Sequence, residues 1–401
     1  MSKNLKEHIS SLASMYFEEI QSIRRHLHQH PELSFHEHET SKYLKQKLES
    51  WGIRIDNTWV KTGFSVVIDS EKAGPTIALR ADLDALPIFE KNEVEYRSKN
   101  DGVMHACGHD VHASCLMGAA KILNETKKDW NGKVVLFFQA GEEMLPGGAS
   151  LMIEEGIMKK YKPQRMIAQH VYPEMEVGKV GFRSGMYMAS ADEIYITVNG
   201  KGGHGALPHK NIDPVVVSAE LIIALQQISS RVAPPTIPTV LSFGKVTANG
   251  ATNVIPDEVK MEGTLRTMNE EWRGIYHEKI EEICKNITTA HGASCDIDIK
   301  KGYPFLVNDE ATTKSSRTAA KNYLGDEKVE ELDLRMTAED FAYFSQHSPV
   351  CFYRLGVGNE KKGIKHSVHH PQFNIDEKAL EVGMGLMSFI AIEQLQALSQ
   401  P

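Results

Sequence analysis

The sequence predicts an α/β protein in which a mixed-sheet domain is interrupted by an inserted α+β domain, itself an antiparallel sheet with two helices. Three observations lead there. Short apolar runs rich in β-branched residues alternate with helical patterns in the early and late parts of the chain, as strands buried on both faces do. The middle part carries strands that alternate apolar and polar residues, with one face covered and one wet. The length of 401 residues suits two cores better than one.

Residues 36–51 have helical periodicity ended by Gly52, and residues 111–123 make a second helix directly after a polar cluster. Buried strands are expected at residues 76–80, 133–139, 165–169 and 350–355. Residues 193–200 (EIYITVNG) and 259–267 (VKMEGTLRT) have the two-residue alternation of half-wet strands. Asp213 and Pro214 form an N-cap and first-turn pair opening a helix to Ser229, and residues 270–291 form another closed by Gly292. The inserted domain is therefore placed at residues 184–296, and the outer domain at residues 1–183 and 297–401.

Hydrophobic residues at 41% and charged residues at 24% exclude disordered, collagen-like and fibrous chains. The net charge of -8 is modest and Lys and Arg are scattered, which points to a small-molecule substrate rather than nucleic acid or an anionic membrane. Residues 1–20 hold Lys3, Lys6, Glu18 and Glu19 with no unbroken apolar stretch, so no secretory signal is expected. The apolar helix near residues 215–228 is read as too short to span a bilayer. Five irregularly spaced cysteines do not resemble a disulfide framework and most are expected as free thiols, in keeping with a cytoplasmic protein. The 18 histidines suit either metal ligation or acid–base chemistry.

The strongest local signal is HACGHD, where Cys107 and His109 lie two apart in a glycine-containing loop before a helix. A thiolate and an imidazole so placed can converge on one metal; alone, the pattern fits a loop cysteine and a solvated histidine equally well. Next, QAGEE follows the strand at residues 133–139 and puts Glu142 and Glu143 where open α/β sheets build their sites. One carboxylate can ligate a metal while the other serves as general base; an acidic surface turn is the commoner fate of such a pair. His170 ends a strand and His369 sits in the loop HSVHHPQF, so Cys107, Glu143, His170 and His369 all fall after predicted strands. Asp82 and Asp84 in LRADLDALP also lie at a strand end, and Asp84 is a candidate to accept the N–H of a ligating imidazole. The tract His26, His28, His30, His36 and His38 reads as a solvated helix end. In the middle domain, His204 lies in the glycine-rich GGHGALP, and Asn253 and Arg266 are suited to a carboxylate or equally to a turn and a surface.

These segments together resemble the amidohydrolases that include bacterial aminoacylases, hippurate hydrolase and plant indole-acetyl-amino-acid hydrolases, within a larger clan of dimetal exopeptidases. Nearly the whole chain takes part, through RRHLHQHPELSF, LRADLDALPI, MHACGHDVHAS, GEE with GGA, AQHVYPEMEVG, GGHGALPHKNIDP, TNVIPDEV, GTLRT, TAEDFAYF and HHPQFNIDE. The resemblance implies a catalytic domain with two divalent metal ions, Mn, Zn, Co or Ni, and an inserted lid that often dimerises, hence a homodimer or higher homo-oligomer. It implies Cys107, His109, Glu143, His170 and His369 as metal ligands, with the Cys107 sulfur shared, and Glu142 as general base. His204 would stabilise the oxyanion, in its own site or in that of a partner subunit, while Asn253 and Arg266 would hold the substrate's carboxylate. The chain departs from the usual pattern at Ala140 and Gly141, which replace a more typical Pro and Ala, and a local change in the turn is expected. His366 and His370 flank His369, whose choice rests on its distance to Pro371.

The expected reaction is hydrolysis of the amide bond of N-acyl amino acids. The rival readings are a dipeptidase or exopeptidase with the same centre, and a non-catalytic binding protein, which would have lost the base or several ligands.

Overall fold

The structure, a computed structural model, describes residues 2–399. Its strands are β1 (Ile55–Trp59), β2 (Gly63–Asp69), β3 (Thr76–Asp82), β4 (Lys133–Gln139), β5 (Arg165–Glu176), β6 (Val180–Phe182), β7 (Gly185–Met188), β8 (Asp192–Asn199), β9 (Gly203–His204), β10 (Thr239–Ala248), β11 (Val254–Ile255), β12 (Glu258–Thr267), β13 (Ser294–Lys301), β14 (Leu306–Asn308), β15 (Val329–Glu331) and β16 (Val350–Gly358). Its α-helices are α1 (Ser2–Gln29), α2 (His38–Ser50), α3 (His109–Glu125), α4 (Gly148–Glu154), α5 (Ile157–Tyr161), α6 (Pro214–Leu225), α7 (Glu270–Ala290), α8 (Glu310–Leu324), α9 (Ala342–Ser345) and α10 (Ala379–Ser399).

The chain divides into two compact units: Met1–Gly185 with Val307–Asp333 and Tyr343–Pro401, and Met186–Leu306 with Leu334–Ala342. Against the expected insertion at residues 184–296, the second unit runs ten residues further and takes back a short later segment.

The first unit is built on an eight-stranded mixed sheet in the order β1-β2-β4-β3-β5-β16-β6-β15. Its central pairs β3–β4, β3–β5 and β5–β16 are parallel. Parallel strands need both faces covered, which is why TIALRAD, KVVLFFQ and VCFYRLGVG read as nearly continuous apolar runs and are buried along almost their whole length. Helix α3 is packed with α1 and α10 and rests on this sheet, its residues from His109 to Ala120 all buried. β5 is longer than the five residues expected from its apolar run. Its register against β16 continues past Gln169, pairing Arg354 with His170 and Gly358 with Glu176, so His170 lies inside a strand rather than after one.

The second unit is an antiparallel four-stranded sheet in the order β10-β12-β8-β13. Ile194, Ile196 and Val198, alternate residues of β8, enter one core with Val217, Leu221 and Leu225 of α6 and Tyr276, Ile280 and Cys284 of α7. Asp213 caps α6 by accepting from Val215 N at 2.8 Å.

Two expectations need correction. The apolar segment after Pro214 continues through a π-helical turn to Val232, giving 19 residues of mean hydropathy 1.3, long and apolar enough by length and composition to cross a membrane. Only 28% of it is buried, leaving Val215, Val216 and Ile223 exposed; α10 passes the same test but is 67% buried, as a core helix is. The N-terminal histidine tract is not simply solvated. His28 is buried, with Nδ1 2.7 Å from Asp110 and Nε2 3.1 Å from Glu90. Burial and Arg24 oppose its proton, but those two carboxylates outweigh them and raise its pKa. His26 stacks on Tyr43 at 3.8 Å between ring centroids, and His36 and His38 are exposed.

Candidate metal centre

In the first unit, three structural devices bring the candidate ligands together. Gly108, in the left-handed region at φ +83°, turns the HACGHD loop into α3 and starts that helix at His109. A Cβ there would stand 2.6 Å from Val171 Cγ2, so only glycine lets this loop lie against the strand carrying His170. The backbone N–H of His369 donates to Ala106 O at 2.8 Å, tying the late loop to the early one.

The result is two donor groups that share a sulfur: Cys107 with His109 and His170, and Cys107 with Glu143 and His369, all atoms of a group within 4.8 Å of one another. Cys107 Sγ lies 3.4 Å from His170 Nε2, and His369 Nε2 lies 3.3 Å from Glu143 Oε1. Donors each about 2.0–2.3 Å from one ion can be no more than about 4.6 Å apart, so both spacings suit shared ions. Among the three clustered histidines it is His369 that reaches Glu143; His366 and His370 stack on each other, centroids 4.3 Å apart.

Buried polar atoms point the same way. His109 Nε2 and Glu143 Oε1 are buried with no hydrogen-bond partner among the described residues, at a cost of about 1–3 kcal/mol each if nothing binds them. Burial first, then the charges of Glu143 and Glu142, push the Cys107 thiol well above its ordinary range. Burial opposes a proton on His109, but Asp82 and Asp84 outweigh it and lift the ring to about 10. A pocket this rich in negative charge, with orphaned nitrogen and oxygen donors and a thiol that ionises only beside a cation, fits two divalent ions.

Asp84 faces His109, its Oδ1 3.3 Å from Nδ1. It does more: Oδ1 also accepts from Glu142 N at 3.0 Å, and Oδ2 accepts from Glu143 N at 2.9 Å and Ser34 Oγ at 2.6 Å. Glu142 Oε2 lies 4.0 Å from His109 Nε2 and clusters with His109 and Glu143, but it joins neither group containing Cys107. The departure at Ala140 and Gly141 has a clear local form. Gly141 is left-handed at φ +62°, and a Cβ on it would lie 2.3 Å from Phe35 Cε1.

Sequence reasoning named Asp82 but missed the set of buried groups it joins. Asp82, Arg80 and His112 form a chain in which Arg80 Nη1 donates to Asp82 Oδ2 at 2.6 Å and His112 Nδ1 faces Asp82 Oδ1 at 2.6 Å. Asp82, His109 and His112 are close enough to resemble a third metal group, but both nitrogens of His112 are engaged, since Nε2 accepts from Val171 N at 2.9 Å. The spacing of His109 and His112, one helical turn apart, was the available signal. Glu37 was missed too, and no spacing in the sequence marks it.

In the second unit, β9 and β11 pair His204 with Val254, and Gly205 N donates to Asn253 O at 2.8 Å, so His204 and Asn253 are neighbours. His204 is exposed, and its Nδ1 accepts from Ala206 N at 3.1 Å, leaving the outer nitrogen as the donor of the neutral ring. Arg266 is half-buried on β12, where only its Nε has an acceptor among the described residues, Thr264 Oγ1 at 3.1 Å.

Residues 78–393 match the profile of peptidase family M20/M25/M40. The chain belongs to that family. This M20 protein is 41% identical over 360 residues to the N-acetyl-L-cysteine deacetylase of Bacillus subtilis, covering 89% of this chain and 84% of that one. It is 41% identical over 303 residues to the N-acyl-L-amino acid amidohydrolase of Geobacillus stearothermophilus, covering 76% and 81%. The crystal structure of a dinuclear metal-binding M20 peptidase from Bacillus subtilis superposes with a TM-score of 0.81 at 32% identity, covering 96% and 99%. The M20 protein is accordingly a metal-dependent amide hydrolase, and its donor set fits a dinuclear divalent centre.

Proposed function

We propose that this M20 enzyme hydrolyses N-acyl amino acids to a carboxylate and a free amino acid. The observation that carries the reading is the sharing of Cys107 between two donor groups, with Glu142 beside His109 and in neither of them. Cys107, His109, Glu143, His170 and His369 would hold two divalent ions. The mixed thiolate, imidazole and carboxylate donors suit Mn, Zn, Co or Ni. When bound, such ions supply Lewis acidity, which activates water near neutral pH and polarises a carbonyl.

The chain's own residues do the rest. Glu142 takes the proton of the attacking water and delivers it to the departing nitrogen. The outer N–H of His204 donates to the oxyanion. Arg266 and Asn253 take the substrate's free carboxylate, for which the unfilled guanidinium edge of Arg266 is suited. Asp84 holds the ring of His109 and both N–H groups of the Glu pair.

The exposed Val215, Val216 and Ile223 on α6 support a homodimer or higher homo-oligomer built through the second unit. Light scattering tests this; a strictly monomeric active enzyme removes any role of His204 in a partner subunit. Five free thiols suit the reducing cytoplasm.

A second reading, an exopeptidase cutting dipeptides, is favoured by the peptidase superposed at 0.81. Both are tested by hydrolysis of N-acetyl, N-benzoyl and indole-acetyl amino acids beside dipeptides, before and after chelation and with Mn, Zn or Co restored. Metal-restored cleavage of acyl amino acids supports the first reading, selective dipeptide cleavage the second. Silence on every substrate by the metal-loaded protein counts against both.

A further inference from the structure

The segment PELSF and the Glu37 that follows lie outside the donor groups, yet they are bonded to both acidic loops of the centre. Ala85 N donates to Glu32 O at 2.8 Å, Leu33 bridges to Ala85, and Ser34 Oγ donates to Asp84. Phe35, left-handed at φ +65°, lays its ring against Gly141. Glu37 itself is fully buried. Its Oε1 accepts from Gly141 N at 2.8 Å and Phe35 N at 2.9 Å, and its Oε2 accepts from Thr62 Oγ1 at 2.7 Å.

Three consecutive backbone N–H groups, those of Gly141, Glu142 and Glu143, are thus each accepted by a buried carboxyl: the first by Glu37, the next two by Asp84. No cation pairs with Glu37 among the described residues. Burial, then the neighbouring charge of Asp84, raises its carboxyl to about 7. A group kept at that electrostatic cost, its carboxyl bonded among the described residues to Thr62 and to the N–H groups of two turns, is placed to shape those turns.

We propose that Glu37 is a positioning residue that holds the Gly141–Glu143 turn, and through it the carboxylate of Glu142, in its working place. The inference rests on Glu142 being the general base. Glu37 sets the start of the turn and Asp84 its continuation. A base displaced by about 1 Å loses on the order of a hundredfold in rate, so the effect falls on turnover rather than on substrate binding.

The test uses the metal-loaded enzyme with Glu37→Ala, Glu37→Met and Glu37→Gln beside Glu142→Gln. For each, kcat, KM, metal content and thermal midpoint are measured. Glu37→Met keeps the bulk but removes the acceptor. Glu37→Gln keeps a carbonyl oxygen for both N–H groups and an amide that Thr62 can accept from. Expected are a fall in kcat of roughly tenfold or more for Ala and Met with KM within about twofold and full metal content, and Gln within about threefold of the native rate. Native kcat in Glu37→Met while Glu142→Gln is inactive overturns this inference alone. Full activity of Glu142→Gln overturns the assignment of the base, whatever the Glu37 variants do. Loss of folding or of metal in all three Glu37 variants means that Glu37 holds the fold rather than the base, and the inference falls.

Discussion

The backbone N–H of Val171 donates to Nε2 of His112 at 2.9 Å, directly beside His170 in the strand. Because that nitrogen accepts, the ring proton sits on Nδ1, facing Asp82. Helix α3 thus presents His109 to the donor cluster and His112, one turn on, to the backbone behind His170. His112→Ala should loosen His170 and weaken metal binding by roughly 10- to 100-fold, measured by competition with a chromogenic chelator. Unchanged affinity would show that β5 holds His170 without this bond.

Glu142→Gln should bind metal normally and lose turnover by roughly a hundredfold or more, because the amide cannot accept the water's proton. Metal analysis alongside steady-state rates checks both halves. A variant with full activity would require another base.

Removing metal should destabilise the protein as well as silence it. Without cations, Glu143 Oε1 and His109 Nε2 are left buried without a hydrogen bond among the described residues, and the two carboxylates of the Glu pair, 4.0 and 3.9 Å from His109 Nε2, lack the ions' charge to offset their own. A chelator should lower the thermal midpoint and restored Mn, Zn or Co should raise it, by an amount that grows with metal concentration. A midpoint indifferent to chelation would contradict the donor assignment.

Gly141→Ala puts a Cβ at φ +62° and 2.3 Å from Phe35 Cε1. A loss of about 1–3 kcal/mol is expected from urea denaturation, part of it recovered by adding Phe35→Leu. An unperturbed Gly141→Ala would mean the turn relaxes freely, and would also weaken the positioning argument for Glu37.

In the second unit, Asp192 is gripped by Arg273 and His277, with His277 Nε2 2.7 Å from Oδ2 and Arg273 Nε 3.0 Å from the same oxygen. Burial works against its charge, but His277 and Arg273 prevail and hold the carboxyl at about 2 instead of 3.8. A folded-state pKa below the unfolded one stabilises fully above pH 3.8 and loses that contribution as pH falls towards 2. At about 1.4 kcal/mol per pH unit, the grip is worth about 2–3 kcal/mol at neutral pH. Asp192→Asn should therefore unfold at lower urea than the native protein at pH 7, with the gap narrowing below pH 3.8. A gap constant across that range would rule out the charge as its source.

Much of this was legible in the residues. The apolar runs at 76–80, 133–139 and 350–355 announced strands covered on both faces, and the alternation in EIYITVNG announced a sheet with one wet face, because burial on one or two sides writes a different period into the sequence. Cys107, His109 and the Glu pair stood out because metal chemistry demands particular donor types, and those survive in order along the chain. What the sequence by itself determined was therefore the fold class, and it supplied the candidate donors. The sharing of Cys107 and the choice of His369 came from the family resemblance; tertiary structure alone decided the distances that join them, that His112 turns to Val171, and that Glu37 meets Gly141 across 104 residues. Those are distances between segments remote in the chain, set by how strands stack and loops cross, and no local period or spacing records them.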